Sequence, residues 1–406
     1  MTLSPNGAGL RAAECGLVSM LSAKQLSYAS ALFIVASSLL IKAVYVFSLQ
    51  DSWLSVLVAI LISLLVIGVY GMLGRRHPGM CPVKLSEAVF GRVVGKVVAA
   101  MYIFFFLSLA ILNLEDAGSF VTVSILPRTP VTIVYVMVIV VCAMAVSKGH
   151  KMCMYSTMMV ILVAFIFVLN MLLLFNKMEL ENFLPVLTQP PKNYFLAILG
   201  LLMLPLCEIF VFMIFAPDMK KPEIIGSALK GGIFIGGFLL FIIVVRDIAA
   251  LDGYLQYTNN PTFSSIRLIE IGDFLTRLEI LYASILITTF TFKISVCFYA
   301  AIVGLARLFR IENYRIFIGI FGVLIVVATR GVFESTFEHN EWKRSAPIYS
   351  TLFLIILPII MLLVSYLRFG KYPQKRQAAS GGENAGTDGG NDDSADYNPN
   401  RAAGET

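Results

Sequence analysis

Apolar residues recur along this chain in blocks of about twenty, the length a helix needs to cross the hydrocarbon core of a bilayer. Inside lipid every backbone N–H and C=O must find its partner within the protein, so such blocks fold as helices. Ten blocks are read: 26–48, 53–73, 97–114, 130–147, 155–175, 195–215, 231–250, 280–303, 315–333 and 347–367. Hydrophobic residues make up 58% of the chain and charged residues 14%, where a globular domain carries about a quarter charged. The expected fold class is an all-α polytopic membrane protein with ten transmembrane helices. Residues 1–24 read as a cytoplasmic tail with little structure and 25–370 as the membrane domain. Residues 371–406 read as a second cytoplasmic tail, rich in Gly and Asp and too poor in apolar residues to order. No cleavage site follows the first block, so it reads as a retained span.

The net charge of +6 does not point to nucleic acid here, because the basic residues lie in short loops between spans. There they set orientation. The N-terminus and alternate loops hold roughly twice the Lys and Arg of the opposite loops, which puts both termini in the cytoplasm. Six cysteines are scattered without paired spacing, so neither a disulfide framework nor a zinc site is expected. Glu334, Glu338, His339 and Glu341 read as a solvated face rather than a metal site. There is no Walker loop, dinucleotide fingerprint or nucleophile elbow. The sequence therefore points to no cofactor and no enzymatic activity.

Three ionisable residues are singled out inside spans: Glu208, Lys42 and Lys293. A carboxyl at mid-membrane costs roughly 3 kcal/mol unless it has a partner, a proton or a water-lined cavity. Glu208 closely follows Pro205, whose missing N–H breaks or bends the helix. A break at that depth persists only where the freed backbone groups face protein or a polar cavity. Span 1 carries Val35-Ala36-Ser37-Ser38 at similar depth. Interrupted helices at equivalent places in two halves mark a transporter-type site at the midplane. Half-helix N-termini there present N–H groups to an anion. The plain alternative is a proline kink whose glutamate makes one structural hydrogen bond. Lys293 is too central in span 8 to snorkel easily. Its ammonium is expected to occupy the place of a coupling cation or to pair with a carbonyl of span 1. Lys42, nearer the outer end of span 1, is the second candidate for that cation-mimic or coupling role; the alternative is that it snorkels to the interface. Residues 251–279 are expected to hold a short amphipathic segment, and 176–194 an extended connection between two five-span halves.

Several strings taken in order then carry a resemblance. They are Leu21-Ser-Ala-Lys-Gln-Leu26, Ala36-Ser-Ser-Leu-Leu40, Gln50-Asp-Ser-Trp-Leu-Ser55 and Phe90-Gly-Arg-Val-Val-Gly-Lys96. Ile125-Leu-Pro-Arg-Thr-Pro130, Asn182-Phe-Leu-Pro185, Leu204-Pro-Leu-Cys-Glu-Ile209, Arg277-Leu-Glu279 and Phe292-Lys-Ile294 continue the series. Over about 21–370 the chain resembles the spore germination permease family, the B subunits of endospore germinant receptors. The resemblance implies the fold of the amino acid–polyamine–organocation superfamily: two inverted five-helix repeats, about 26–175 and 195–367, with helices 1 and 6 broken. It implies the inner membrane of a spore, a small-molecule germinant that is commonly an amino acid, and A and lipoprotein C subunits as partners. A proton-coupled amino-acid transporter is the alternative function. By analogy with the fold, ligand contacts map to Ala36, Ser37 and Ser38, to Tyr102 and Phe106, to Leu206, Cys207 and Glu208, and to Thr288 and Thr291. The family usually has glycine at Ala36, a proline near Lys42 and a small residue at Cys207. Ala36 and Cys207 would narrow a midplane pocket, which implies a small or unusual germinant or an altered sensitivity.

Overall fold

A computed structural model describes residues 20–258, 260–268, 278–332 and 336–370. The expected C-terminal tail, most of the N-terminal one, Glu334 and the end of the expected amphipathic segment lie outside the described residues. Among those described, structure is helical apart from one parallel bridge between Leu21 and Met219. That bridge changes the expected boundary at residue 24. Leu21 is fully buried, its N–H donates to the Asp218 carbonyl, and Lys220 N–H donates to the Leu21 carbonyl. Helix α1 (Ala23–Ala36) starts directly after it, with Ser22 and Gln25 forming a reciprocal capping box.

The remaining helices are α2 (Lys42–Ser48), α3 (Ser52–Arg76), α4 (Pro82–Phe90), α5 (Arg92–Ser124), α6 (Val131–Ser147) and α7 (Met152–Leu174). They continue with α8 (Pro191–Leu201), α9 (Ile225–Leu251), α10 (Pro261–Arg267), α11 (Leu278–Phe309), α12 (Ile316–Val332), α13 (Thr336–Thr351) and α14 (Leu357–Phe369). Among the described residues, seven helical stretches are long and apolar enough to cross a membrane, and α6 and α12 are shorter apolar helices. The third expected span, 97–114, is the middle of a much longer helix of 33 residues, α5. The 176–194 connection is less extended than expected. It contains 3₁₀ turns at Phe175–Lys177 and Leu180–Phe183, and α8 already begins at Pro191, where a missing N–H costs nothing. Buried Asp51 pins this connection by accepting from Leu187 N–H at 3.1 and 2.9 Å and from Tyr194 O–H at 2.5 Å.

Close helix packing in lipid relies on small residues that let backbones approach. Here α9 lies along both α1 and α3. A Cβ added at Gly226 would stand 2.3 Å from the Cα of Gly71 on α3. One added at Gly232 would stand 1.9 Å from the Ser30 hydroxyl of α1. No side chain fits at either crossing. These contacts, with α11 against α5 and α1, enclose the broken segments.

Candidate functional site

Two of the breaks touch each other. Helix α1 stops at Ala36 and continues as a 3₁₀ turn, Ser37–Leu40, before α2. Helix α8 widens into a π turn, Leu202–Leu206, around Pro205, and then tightens into a 3₁₀ run, Cys207–Asp218. The wider turn is how a helix accommodates a proline that offers no N–H. The two interrupted stretches are in contact. A second π turn, Leu352–Ile356, precedes Pro358. Proline leaves the carbonyl four residues back without its helical donor, here that of Leu354, and the Tyr70 hydroxyl donates to it at 2.5 Å. The neighbouring Phe353 carbonyl accepts from Tyr102 at 3.3 Å.

At the first pair of breaks lies a buried ion pair. Lys293 Nζ of α11 stands 2.6 Å from Glu208 Oε2 and donates to Ser37 Oγ at 2.7 Å. Lys293 is fully buried and Glu208 nearly so. The ammonium also lies 4.8 Å from the ring centre of Phe33, a cation–π contact. Thus one cation joins α1, the broken segment after α8, and α11. The contact to span 1 is a serine hydroxyl rather than the expected carbonyl. Asn113 of α5 stands beside Glu208. Its side-chain amide donates to the Leu109 carbonyl at 2.7 Å, and its buried Oδ1 has no partner among the described residues.

The sequence-derived residues divide. Ser37, Glu208 and Lys293 meet; Ala36, Leu206 and Cys207 are buried in the same breaks. Ser38 is buried too, with its hydroxyl unpaired among the described residues, and lies close to Tyr282. Tyr102 and Phe106 stack on each other, and Tyr102 lies against Phe210, so both belong to an aromatic layer. The residue of α5 at the ion pair is instead Asn113, two to three turns further on, because α5 runs to Ser124 and its midpoint shifts with it. Thr288 is exposed and its hydroxyl returns to the Ser284 carbonyl. Thr291 is half-buried, and its hydroxyl returns to the Ile287 carbonyl. At about 100° per residue both point away from Lys293, whereas buried Thr289, one turn before it, shares its face. Lys42 opens α2 and is half-buried.

A second buried charge pair escaped the sequence reading. Arg246 and Asp247 fall within the seventh expected span, yet only Glu208, Lys42 and Lys293 are singled out there. Both are fully buried, with Arg246 Nη2 at 2.6 Å from Asp247 Oδ1. The signal was available: two charges inside an otherwise apolar block near its end, easily absorbed into the adjoining loop.

Interrupted helices meeting around buried charge in an apolar helical bundle define a transporter-like membrane protein. Solved structures agree on the fold. A nucleobase–cation-symport-1 family transporter, MHP1, in a closed conformation with bromovinylhydantoin bound, superposes with a TM-score of 0.63 at 13% identity, covering 86% of this chain and 78% of that one. A manganese transporter of Eremococcus coleocola gives 0.56 at 11% identity, covering 87% and 81%. Residues 20–333 match the Spore_permease family, described as spore germination protein, and the chain belongs to that family. Spore germination protein KB of Bacillus subtilis (strain 168) is 26% identical over 383 residues, 90% of this chain and 98% of that protein. The putative spore germination protein YfkT of the same organism is 22% identical over 78% of this chain and 87% of that protein. Family and fold together support a germinant-receptor or permease-like role in a multi-pass membrane protein.

Proposed function

We propose that this chain is the nutrient-sensing membrane subunit of a spore germinant receptor, taking a small germinant, most simply an amino acid, between the two interrupted helices. The observation that carries this reading is the Lys293 bridge to Glu208 and Ser37, which ties three elements together at the two breaks. A ligand that inserts there and prefers one arrangement of those elements shifts the population towards it. A ligand indifferent to the arrangement signals nothing. In this reading the chain crosses the spore inner membrane ten times as two inverted repeats, with both termini on the core side. The A and lipoprotein C subunits carry the signal onward, and Lys293 fills the place of a coupling cation. Deleting the chain should abolish germination, followed by loss of optical density, in response to one nutrient class and leave other responses intact. Unchanged germination to every nutrient would refute the proposal.

The second reading is a proton-coupled amino-acid transporter with Glu208 as carrier, favoured by the transporter fold. A carboxylate neutralised by a lysine at 2.6 Å needs no proton to stay buried, which favours sensing. Uptake of labelled amino acid by the purified protein in liposomes, driven by a pH gradient, would favour transport.

A further inference from the structure

The Arg246–Asp247 pair is a better-bonded structure than the midplane bridge, and it leaves one donor over. Asp247 accepts from Tyr45 O–H at 3.0 Å, Thr262 O–H at 2.7 Å and Ser265 O–H at 2.9 Å. It also accepts from Nε and Nη2 of Arg246, at 3.1 and 2.6 Å. Two of the three guanidinium nitrogens are therefore fixed, which locks the plane of the group. The third, Nη1, is buried and has no partner among the described residues. Neither has the buried Tyr282 hydroxyl of α11 nor the buried Ser38 hydroxyl of the first break. Arg246 and Ser38 both stand close to the Tyr282 hydroxyl, without the geometry of a hydrogen bond to it. Helix α10 packs over α9, α11 and the Ser37–Leu40 turn, and so covers this place.

A buried polar group without a partner is costly and uncommon. Three of them, from three separate elements, stand at one place inside a membrane domain. One is a cationic N–H held in a fixed plane; the others are hydroxyls that rotate to donate. Such a set matches the oxygens of an anion, and a planar carboxylate above all. We propose that Arg246 Nη1, Tyr282 O–H and Ser38 O–H form a subsite for the carboxylate of a small ligand. The proposal rests on the germinant reading above and narrows it to carboxylic acids. Ser37 holds Lys293 and Ser38 faces this subsite, so adjacent residues of one turn link the ion pair to ligand capture.

The test uses spores carrying the full chain, the twenty standard amino acids and their carboxamides as probes, and immunoblots for protein level. Spores lacking the chain identify the responses that depend on it. Those responses should be given to free acids and not to the matching carboxamides. Tyr282→Phe and Ser38→Ala should each raise the half-maximal concentration about tenfold or more, one lost hydrogen bond to charge. Because each variant removes an unbonded buried hydroxyl, protein level should hold or rise. If acid and carboxamide act equally through this chain, or both variants respond as wild type, the subsite is wrong and the receptor reading stands. A dependent response to a nutrient without a carboxylate, with none to any amino acid, has the same meaning. If no response depends on the chain, both readings fail.

Discussion

Glu208–Lys293 and Arg246–Asp247 are both buried pairs of opposite charge, and they are built for different ends. The first joins residues 85 apart in sequence, on two elements, with a serine of a third as the only other side chain among the described residues that the ammonium donates to. It holds only while the broken segments and α11 keep their relative positions. The second joins adjacent residues of one unbroken helix, and its carboxylate collects hydroxyls from α2 and α10. Helix movement cannot separate that pair. One pair reports on the arrangement of helices; the other is an anchor with a donor to spare.

The largest effect should come from the anchor. Asp247→Ala leaves a buried guanidinium uncompensated and strips the Tyr45 and Thr262 hydroxyls of their acceptor, while Ser265 keeps its second one, the Thr262 carbonyl at 3.0 Å, for a loss of about 3–5 kcal/mol or more. Protein level in membranes and melting temperature in detergent would show it. Adding Arg246→Met should recover little, since the Tyr45 and Thr262 hydroxyls remain orphaned.

The bridge should behave otherwise. Lys293→Met alone should cost about 3–5 kcal/mol by leaving Glu208 buried and unpaired, and the double variant with Glu208→Gln should recover much of it. Equal recovery in both pairs, measured by the same melting experiment, would erase the distinction between them.

A finer cut is Tyr45→Phe, which removes one hydrogen bond to the Asp247 carboxylate and should cost about 1.5–3 kcal/mol. No loss in melting temperature would show that the anchor does not need α2.

The smallest effect is a control on pH. His77, just past the end of α3, is buried beside Arg76, and burial first and that charge second push its pKa below the ordinary value. On acidification the unfolded chain takes up this proton before the folded one. Stability from His77 is thus present above about pH 6.5 and lost as pH falls towards the folded value. His77→Asn should flatten that part of the melting-temperature profile, leaving any slope owed to other groups.

How much of this was legible in the sequence depended on whether a residue left a local mark. Pro205 and Glu208 together break both the apolar pattern and the hydrogen-bond ladder, and that signal led to the bridge. Lys293 stood out as a central charge. Thr288 and Thr291 rest on depth and analogy with the fold, and their spacing from Lys293 puts them on other faces of the helix. Tyr102 and Phe106 follow from the depth of the apolar block, whereas α5 runs on through Glu115 and Asp116 to Ser124, which puts Asn113 rather than either of them at the ion pair. Asn113 is a polar residue inside the expected span 97–114, but only tertiary contact puts it beside Glu208. Arg246 and Asp247 sat in plain view, but adjacent opposite charges near a span end look like a loop boundary. Only folding shows α10 delivering Thr262 and Ser265 to that carboxylate.

The measurement that tests the central claim most directly is germination of spores carrying Glu208→Gln against wild type, across a nutrient panel, with protein level followed by immunoblot. At equal protein level the response to one nutrient should be lost or moved to higher concentration while the others stay unchanged. An unchanged response to every nutrient, or loss only because the protein has disappeared, would contradict a ligand site at the bridged breaks.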